Sequence, residues 1–219
     1  MKKIITLDGP AGVGKSTIAR LVAEQLKIPV LDTGAMYRSL AYNLGEKALR
    51  MNDEELATAC KKYKFTLSGS GDSSRLYCYG ELIGDEVRTE EIATLASRLS
   101  QRQAVRQALL EAQRELGKNF DLVAEGRDMG TVVFPDAGYK FFLDASPETR
   151  ALRRQKDLKK MGTPVPDLGE IEETIRRRDE QDRTRAIAPL KPAPDAKIID
   201  TTNLDITSVL KRILSDIHD

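Results

Sequence analysis

The chain has 219 residues, enough for one well-buried core with small insertions, and its 35 Lys+Arg against 34 Asp+Glu give a net charge of +1. No global field therefore favours nucleic acid or an anionic membrane, and any anion must be bound locally. Cys60 and Cys78 form no C-x-x-C pair, which argues against zinc or a disulfide framework, and the single histidine, His218, sits beside the C-terminus, which argues against a His-dependent triad, metal site or general base.

Lys2 and Lys3 precede only the short run Ile4–Leu7 before Asp8 interrupts it, too little for a signal-peptide core, and there is no apolar run of about 18 residues. The expectation is a cytoplasmic chain. Ile4-Ile5-Thr6-Leu7 reads as a strand, and the residues after it, Gly9, Pro10, Ala11, Gly12, Val13, Gly14, Lys15, Ser16 and Thr17, fit G-x-x-x-x-G-K-[ST]. The glycines allow tight turns that aim successive N–H groups at a polyphosphate. Lys15 adds a mobile charge, Ser16 a hydroxyl ligand for Mg²⁺, and the helix starting near Lys15 points its positive end at the phosphates. A glycine-rich turn that binds nothing is the alternative, and the strand before with the amphipathic helix after (Ile18, Leu21, Val22, Leu26) weighs against it.

Pro29-Val30-Leu31 predicts a second strand ending at Asp32, and Met36, Leu40 and Leu44 a helix from about Thr33 to Gly45. Between Asn52 and Asp85 the pattern changes to a short helix, Glu54 to Lys61, and β-rich runs at 65–67 and 76–79. Helices at about 89–99 and 104–116 lead back to apolar runs at 122–124 and 141–143, which read as central parallel strands. A polar, arginine-rich helical hairpin spans about 147–185, broken at Gly162–Pro166; a last strand at Ile198-Ile199-Asp200 and a helix through Ile206, Val209, Leu210 and Ile213 close the chain. This alternation predicts an α/β fold with a parallel sheet covered on both faces and ligands at the strands' C-terminal ends.

Two segments just after predicted strands point to a second anionic substrate: Asp32-Thr33-Gly34-Ala35-Met36-Tyr37-Arg38 and Glu125-Gly126-Arg127-Asp128-Met129-Gly130-Thr131. Each offers an arginine fork that matches a phosphate, although either alone reads equally well as a surface arginine paired with a helix end. With Glu86–Ser100 (EVRTEEIATLASRLS), Gly126–Ala137 (GRDMGTVVFPDA) and Arg178–Leu190 (RDEQDRTRAIAPL), the chain resembles the bacterial cytidylate (CMP) kinases, P-loop nucleoside monophosphate kinases, from Lys3 to the last helix.

The resemblance implies ATP-dependent phosphorylation of CMP and dCMP, with ATP as donor and Mg²⁺ as cofactor. It implies one P-loop NTPase-type three-layer domain, with a core at 1–45, 86–149 and 186–219, a small β-containing monophosphate-binding insert at about 46–85 and a helical lid at about 150–185. Arg38, Arg127 and Arg178 would hold the acceptor phosphate, with Thr33 beside them. Ser97, Arg106 and Asp128 would read the cytosine edge, and Asp182 with Arg185 would meet the ribose. Catalytic charge would come from Lys15, Arg127, Arg178 and a lid arginine, Arg154, although the sequence leaves Arg153 open beside it. A monomer is expected, with no nucleic-acid or membrane partner.

The chemistry of the acceptor agrees. Cytosine offers an amine donor beside ring-nitrogen and carbonyl acceptors, so its reading needs an acceptor such as Asp128 and donors such as Arg106 and Ser97. Uracil carries a carbonyl in place of the amine, so a carboxylate there disfavours UMP. Phosphoryl transfer needs positioning and charge stabilisation more than a general base, in keeping with a chain that has no catalytic histidine. A regulatory GTPase would need an N-K-x-D motif and a shikimate-type kinase a glycine triplet, and neither occurs. A nucleic-acid-binding ATPase would need an undiluted basic face, but Asp157, Glu170, Glu172, Glu173, Asp179, Glu180 and Asp182 interleave with the hairpin's arginines.

Overall fold

In the computed structural model, which describes residues 2–160, 162 and 165–218, the first apolar run forms β1 (Ile4–Asp8), and α1 (Lys15–Leu26) follows the glycine-rich loop. Next come β2 (Val30–Asp32), α2 (Thr33–Leu44), α3 (Asp53–Cys60), β3 (Phe65–Ser68), β4 (Arg75–Cys78), β5 (Glu81–Leu82), α4 (Glu90–Leu99) and α5 (Gln103–Asn119). The chain ends with β6 (Leu122–Gly126), β7 (Tyr139–Asp144), α6 (Pro147–Lys160), α7 (Leu168–Thr184), β8 (Lys197–Asp200) and α8 (Ile206–His218). The main sheet runs β2-β6-β1-β7-β8, and a second, three-stranded sheet runs β3-β4-β5. The β2–β6, β1–β7 and β7–β8 pairs are parallel; the β3–β4 and β4–β5 pairs are antiparallel. Strand β5 has only two residues and both are exposed, so it carries no apolar signature from which it could be predicted.

Contacts group the chain into two compact units, one built mainly from Ala23–Glu125 and the other from Ile5–Val22 with Gly126 onward. In the first, Asp32 sits at the junction of β2 and α2 and caps the helix by accepting from the Ala35 N–H at 2.8 Å. Gly45 ends the same helix at φ +64, a conformation costly for a residue with a Cβ, and its N–H bonds the Ala41 carbonyl. Asn52 and Glu55 form a reciprocal capping box that starts α3. Leu56, Leu67, Leu76, Leu95, Leu99, Val105 and Leu109 fill this unit's interior. Each buried side chain of this size contributes about 1.5–3 kcal/mol.

In the second unit, Ile5, Leu7, Phe141, Phe142 and Leu143 are almost wholly buried, as are Val209 and Ile213 of α8, which packs on β7. Lys140 is buried inside the apolar run of β7, which it can be only because its ammonium reaches Asp195 at 2.7 Å and the Pro135 carbonyl. The α6–α7 hairpin has a small apolar core of its own: Ala151, Ile171 and Ile175, flanked by Leu158, Val165 and Leu168. The expected break at Gly162–Pro166 lies partly outside the described residues, at Thr163 and Pro164.

The glycine-rich loop leaves β1 through Gly9, whose φ of +148 is one that L side chains rarely adopt. A Cβ there would lie 2.1 Å from the Leu143 carbonyl oxygen, a backbone atom of β7 that cannot turn aside. Gly9→Ala therefore costs roughly 3 kcal/mol or more, from overpacking and backbone strain together. Urea unfolding of the variant measures this, and a midpoint equal to that of the wild type would contradict it.

Candidate active site

The loop between β1 and α1 surrounds its own lysine. Lys15 opens α1 and is 7% exposed, and its ammonium donates to the carbonyls of Gly9 at 2.8 Å and Pro10 at 2.7 Å. Ser16 and Thr17 follow, both exposed on the first turn, where helix N–H groups have no partner within the helix. Together these features form an anion cradle. The Ser16 hydroxyl is a hard oxygen donor suited to Mg²⁺, which keeps several of its waters and needs few protein ligands. Among the described residues, no group of three His, Cys, Asp or Glu forms a separate metal cage.

Two arginines of α6 reach the same loop. Arg150 is 2% exposed and donates to the carbonyls of Ala145 at 2.9 Å and Ala11 at 3.1 Å, and it pairs with Asp179 of α7 at 2.6 Å. Arg153 donates to the Val13 carbonyl at 3.3 Å and to the hydroxyl and carbonyl of Thr201 at 3.0 and 2.6 Å. Arg154 and Arg178 are half-buried on α6 and α7.

After β6 the backbone forms a π-turn, Met129–Val133, with N–H to carbonyl bonds five residues apart at Val133 to Asp128 and Phe134 to Met129. Asp8, the last residue of β1, reaches the start of that turn. One carboxylate oxygen accepts from the Met129 N–H at 2.9 Å and the other from the Gly130 N–H at 2.8 Å. Burial pushes the Asp8 carboxyl up from 3.8 to about 6, against the pull of these two bonds; Asp128 adds to the rise and Lys15 opposes it.

Before the turn, Arg127 donates through Nε to Asp182 at 2.9 Å. Arg185 lies 3.6 Å from both Asp128 and Asp182, and its Nε donates to the Ala188 carbonyl at 2.6 Å. Burial alone would raise the Asp182 carboxyl, but the charges of Arg127, Arg185 and Arg178 outweigh it and hold it below the usual range. Arg127, Asp128, Asp182 and Arg185, expected from sequence to serve the acceptor, thus form one cluster.

The other expected residues lie in the first unit. Arg38 of α2 pairs with Asp32 at 3.2 Å, and its Nε is buried with no hydrogen-bond partner. Arg106 of α5 is 8% exposed and lies 5.9 Å from the centre of the Tyr37 ring, within cation–π range. Ser97 is half-buried on α4, and its carbonyl accepts from the Ser100 hydroxyl. The Thr33 hydroxyl is committed to the Glu125 carbonyl at 2.7 Å, linking α2 to β6. Asp8 and Tyr37 were not picked out as individual site residues by sequence reasoning, and Asp179 was read only as diluting the hairpin's basic face; the only signal for Asp8 was a carboxylate at the end of an apolar strand.

A glycine-rich loop that folds round a lysine at the edge of an α/β sheet, with two arginines of α6 bonded to it, defines the chain as a P-loop kinase. Within that class the chain belongs to the cytidylate kinase family, whose model matches residues 5–219. It is 53% identical over 216 residues to the cytidylate kinase of Nitratidesulfovibrio vulgaris strain Hildenborough, covering 99% of this chain and 93% of that one. The cytidylate kinase of Pseudomonas putida KT2440 is 46% identical over 220 residues, covering 99% and 96%. Among solved structures, an uncharacterized protein from Eubacterium ventriosum shares the fold, with a TM-score of 0.54 at 13% identity over 100% of this chain and 99% of that one. The chain is a phosphotransferase.

The raised Asp8 carboxyl has a measurable consequence. Between pH 3.8 and about 6 the native state binds more protons at Asp8 than the unfolded chain does, so this group's contribution to stability falls as pH rises through that window and is constant above it. The shift of about two units corresponds to on the order of 3 kcal/mol. The stability difference between Asp8→Asn and wild type should therefore move in favour of the variant by about this much from pH 4 to pH 7. Urea unfolding at the two pH values reads it; a difference that does not change with pH would contradict it.

Proposed function

We propose that the protein transfers the γ-phosphoryl group of ATP to CMP and dCMP, giving CDP and dCDP, with Mg²⁺ as cofactor. The observation that carries this reading is the cluster of Arg127, Asp128, Asp182 and Arg185: a buried carboxylate suited to a base amine, set among arginines suited to a phosphate. Gly9–Thr17 take the triphosphate through loop N–H groups, and Lys15 exchanges the carbonyls of Gly9 and Pro10 for phosphate oxygens. Mg²⁺ would be held at the Ser16 hydroxyl, where it neutralises charge on the phosphate oxygens.

Arg38, Arg127 and Arg178 take the acceptor phosphate, with Thr33 ordering the start of α2 beside Arg38. Arg38 is already aligned by Asp32, and its buried Nε is a donor left for an anion. Ser97 and Arg106 donate to the cytosine acceptors while Asp128 accepts from the amine, and Asp182 with Arg185 meets the ribose. The acceptor oxygen is already anionic at neutral pH, so the side chains orient and stabilise charge rather than remove a proton.

In this reading 46–85 is the monophosphate-side insert and 150–185 the lid. The separate β3-β4-β5 sheet supports the first, and the hairpin's own apolar core supports the second. Arg154, half-buried on the same helix as Arg150 and Arg153, is the lid arginine assigned to the transferring group. The protein works as a cytoplasmic monomer without a nucleic-acid or membrane partner; among the described residues no helix is long and apolar enough to cross a membrane.

An ADP-release assay across the monophosphates tests the reading: CMP and dCMP are turned over far better than AMP, GMP or TMP, and equal or better use of AMP or GMP would overturn it. Lys15→Ala should lower kcat by roughly 10²–10³-fold while the fold persists, because a preorganised donor acts mainly in the transition state. Arg127→Ala should weaken CMP and UMP alike, whereas Asp128→Ala should relax the preference for CMP; kcat/KM for the two acceptors separates these effects, and equal losses in Asp128→Ala would remove its role in reading the base.

A further inference from the structure

The first N–H groups of a helical turn have no partner within it, and an aspartate at the N-cap position ordinarily supplies one with its own carboxylate. Asp128 occupies that position ahead of the Met129–Val133 π-turn, at φ −145 and ψ 24, yet its side chain caps nothing in the turn. The N–H groups of Met129 and Gly130 are taken instead by Asp8, far away in sequence, one on each carboxylate oxygen at 2.9 and 2.8 Å. The Asp128 carboxylate, 5% exposed, lies toward Arg185 at 3.6 Å rather than back over its own turn.

We propose that Asp8 is a remote cap: a positioning residue whose two bonds satisfy the turn and so release the Asp128 carboxylate to read the acceptor base. The inference rests on the base-reading role given to Asp128 above. Three observations support it. The turn fits closely against its surroundings, since a Cβ at Gly130 would meet Thr6 Oγ1 at 3.0 Å and Lys140 Cδ at 3.2 Å, so its start is held in one place. Asp8 is 3% exposed, so its carboxylate is held inside the protein. Burial pushes its carboxyl up to about 6 while the Gly130 and Met129 N–H bonds pull it down, so the two turn bonds act on the charged form. A neutral amide in its place can accept at only one of its two ends, which leaves one turn N–H facing a second donor. The nearest carboxylate in sequence able to replace it is Asp128 itself, and in turning back to cap, Asp128 would leave the base site.

Asp8→Asn should therefore fold, lower the CMP-over-UMP ratio of kcat/KM by on the order of tenfold, and act through Asp128. Added to Asp128→Ala, it should leave that variant's ratio unchanged, because residues acting on one contact are non-additive. Gly130→Ala leaves the Asp8 carboxylate in place but displaces the turn N–H that it holds, and should lower the ratio as well, which provides a test should Asp8→Asn not fold. If Asp8→Asn lowers both acceptors by one factor, or if the double variant loses further discrimination, the remote cap is wrong. A crystal structure of Asp8→Asn decides the geometry without any substrate: the Asp128 carboxylate should be found on the N–H groups of its own turn, and a carboxylate unmoved beside Arg185 would overturn the proposal. A wild-type enzyme with no preference for CMP would instead sink the substrate reading, and the crystal structure would still decide the cap.

Discussion

A charge taken out of water has to be met by a specific partner or it unfolds the protein, and the second unit is built around that constraint. Asp8, Lys15, Asp128, Arg150, Asp179 and Asp182 are each less than a tenth exposed. Each is held by a carbonyl, a backbone N–H or an opposite charge: Lys15 by loop carbonyls, Arg150 by Ala145, Ala11 and Asp179, Asp182 by Arg127 and Arg185. Such pairs seldom add stability over an apolar replacement, because desolvation cancels most of the attraction. They do fix direction. In the function proposed above, groups that meet a polyanion gain from being aligned beforehand, since no reorganisation is then needed while charge shifts between oxygens.

The same constraint explains which parts of the structure were legible in the sequence. Strands β1, β6 and β7 are buried apolar runs, and the glycine-rich motif is local, so both could be read from neighbouring residues. Helix α2 was placed by Asp32 and Gly45, a cap and a stop that act within one turn of their position. Arg127, Asp128, Asp182 and Arg185 were named through the family resemblance, and the structure supplies the physical reason that they form a group: arginine and aspartate alternate across the end of β6 and the last turn of α7. By contrast, the links of Asp8 to Met129 and Gly130, and of Arg150 to Ala11, join residues more than a hundred positions apart, and no periodicity encodes them. The π-turn escaped for a different reason. Its sequence, Met-Gly-Thr-Val-Val, has β-branched residues that favour strand, and only the external acceptor makes the wide turn tenable.

The α6–α7 hairpin shows how a mostly polar segment stays folded. Among the described residues its apolar core is three buried residues with three partly buried ones around them, little for two helices of 14 and 17 residues. Exposed pairs such as Arg176 with Glu148 and Glu172 add at most a few tenths of a kcal/mol to about 1 kcal/mol each. Much of the hairpin's anchoring falls instead on Arg150 and Arg153 at its base, where both meet loop carbonyls. Anchoring at one end in this way supports the lid reading proposed above.

That asymmetry bears on how a kinase of this kind favours transfer over hydrolysis. In the lid reading proposed above, closure would have to bring charge to the phosphoryl group without dislodging the loop that holds it, so the root of the hairpin and the loop would need a common attachment. Arg150 provides it: a single guanidinium bonds the Ala11 carbonyl inside the loop and Asp179 on α7, one helical turn before Asp182, which in turn fixes Arg127. The glycine-rich loop, the hairpin and the Arg127–Asp182 pair are thereby tied through side chains whose bonds are to backbone or to one another. In the lid reading proposed above, motion of the hairpin about this root would leave the Arg127–Asp182 pair, which sits at the same end of the hairpin, in place.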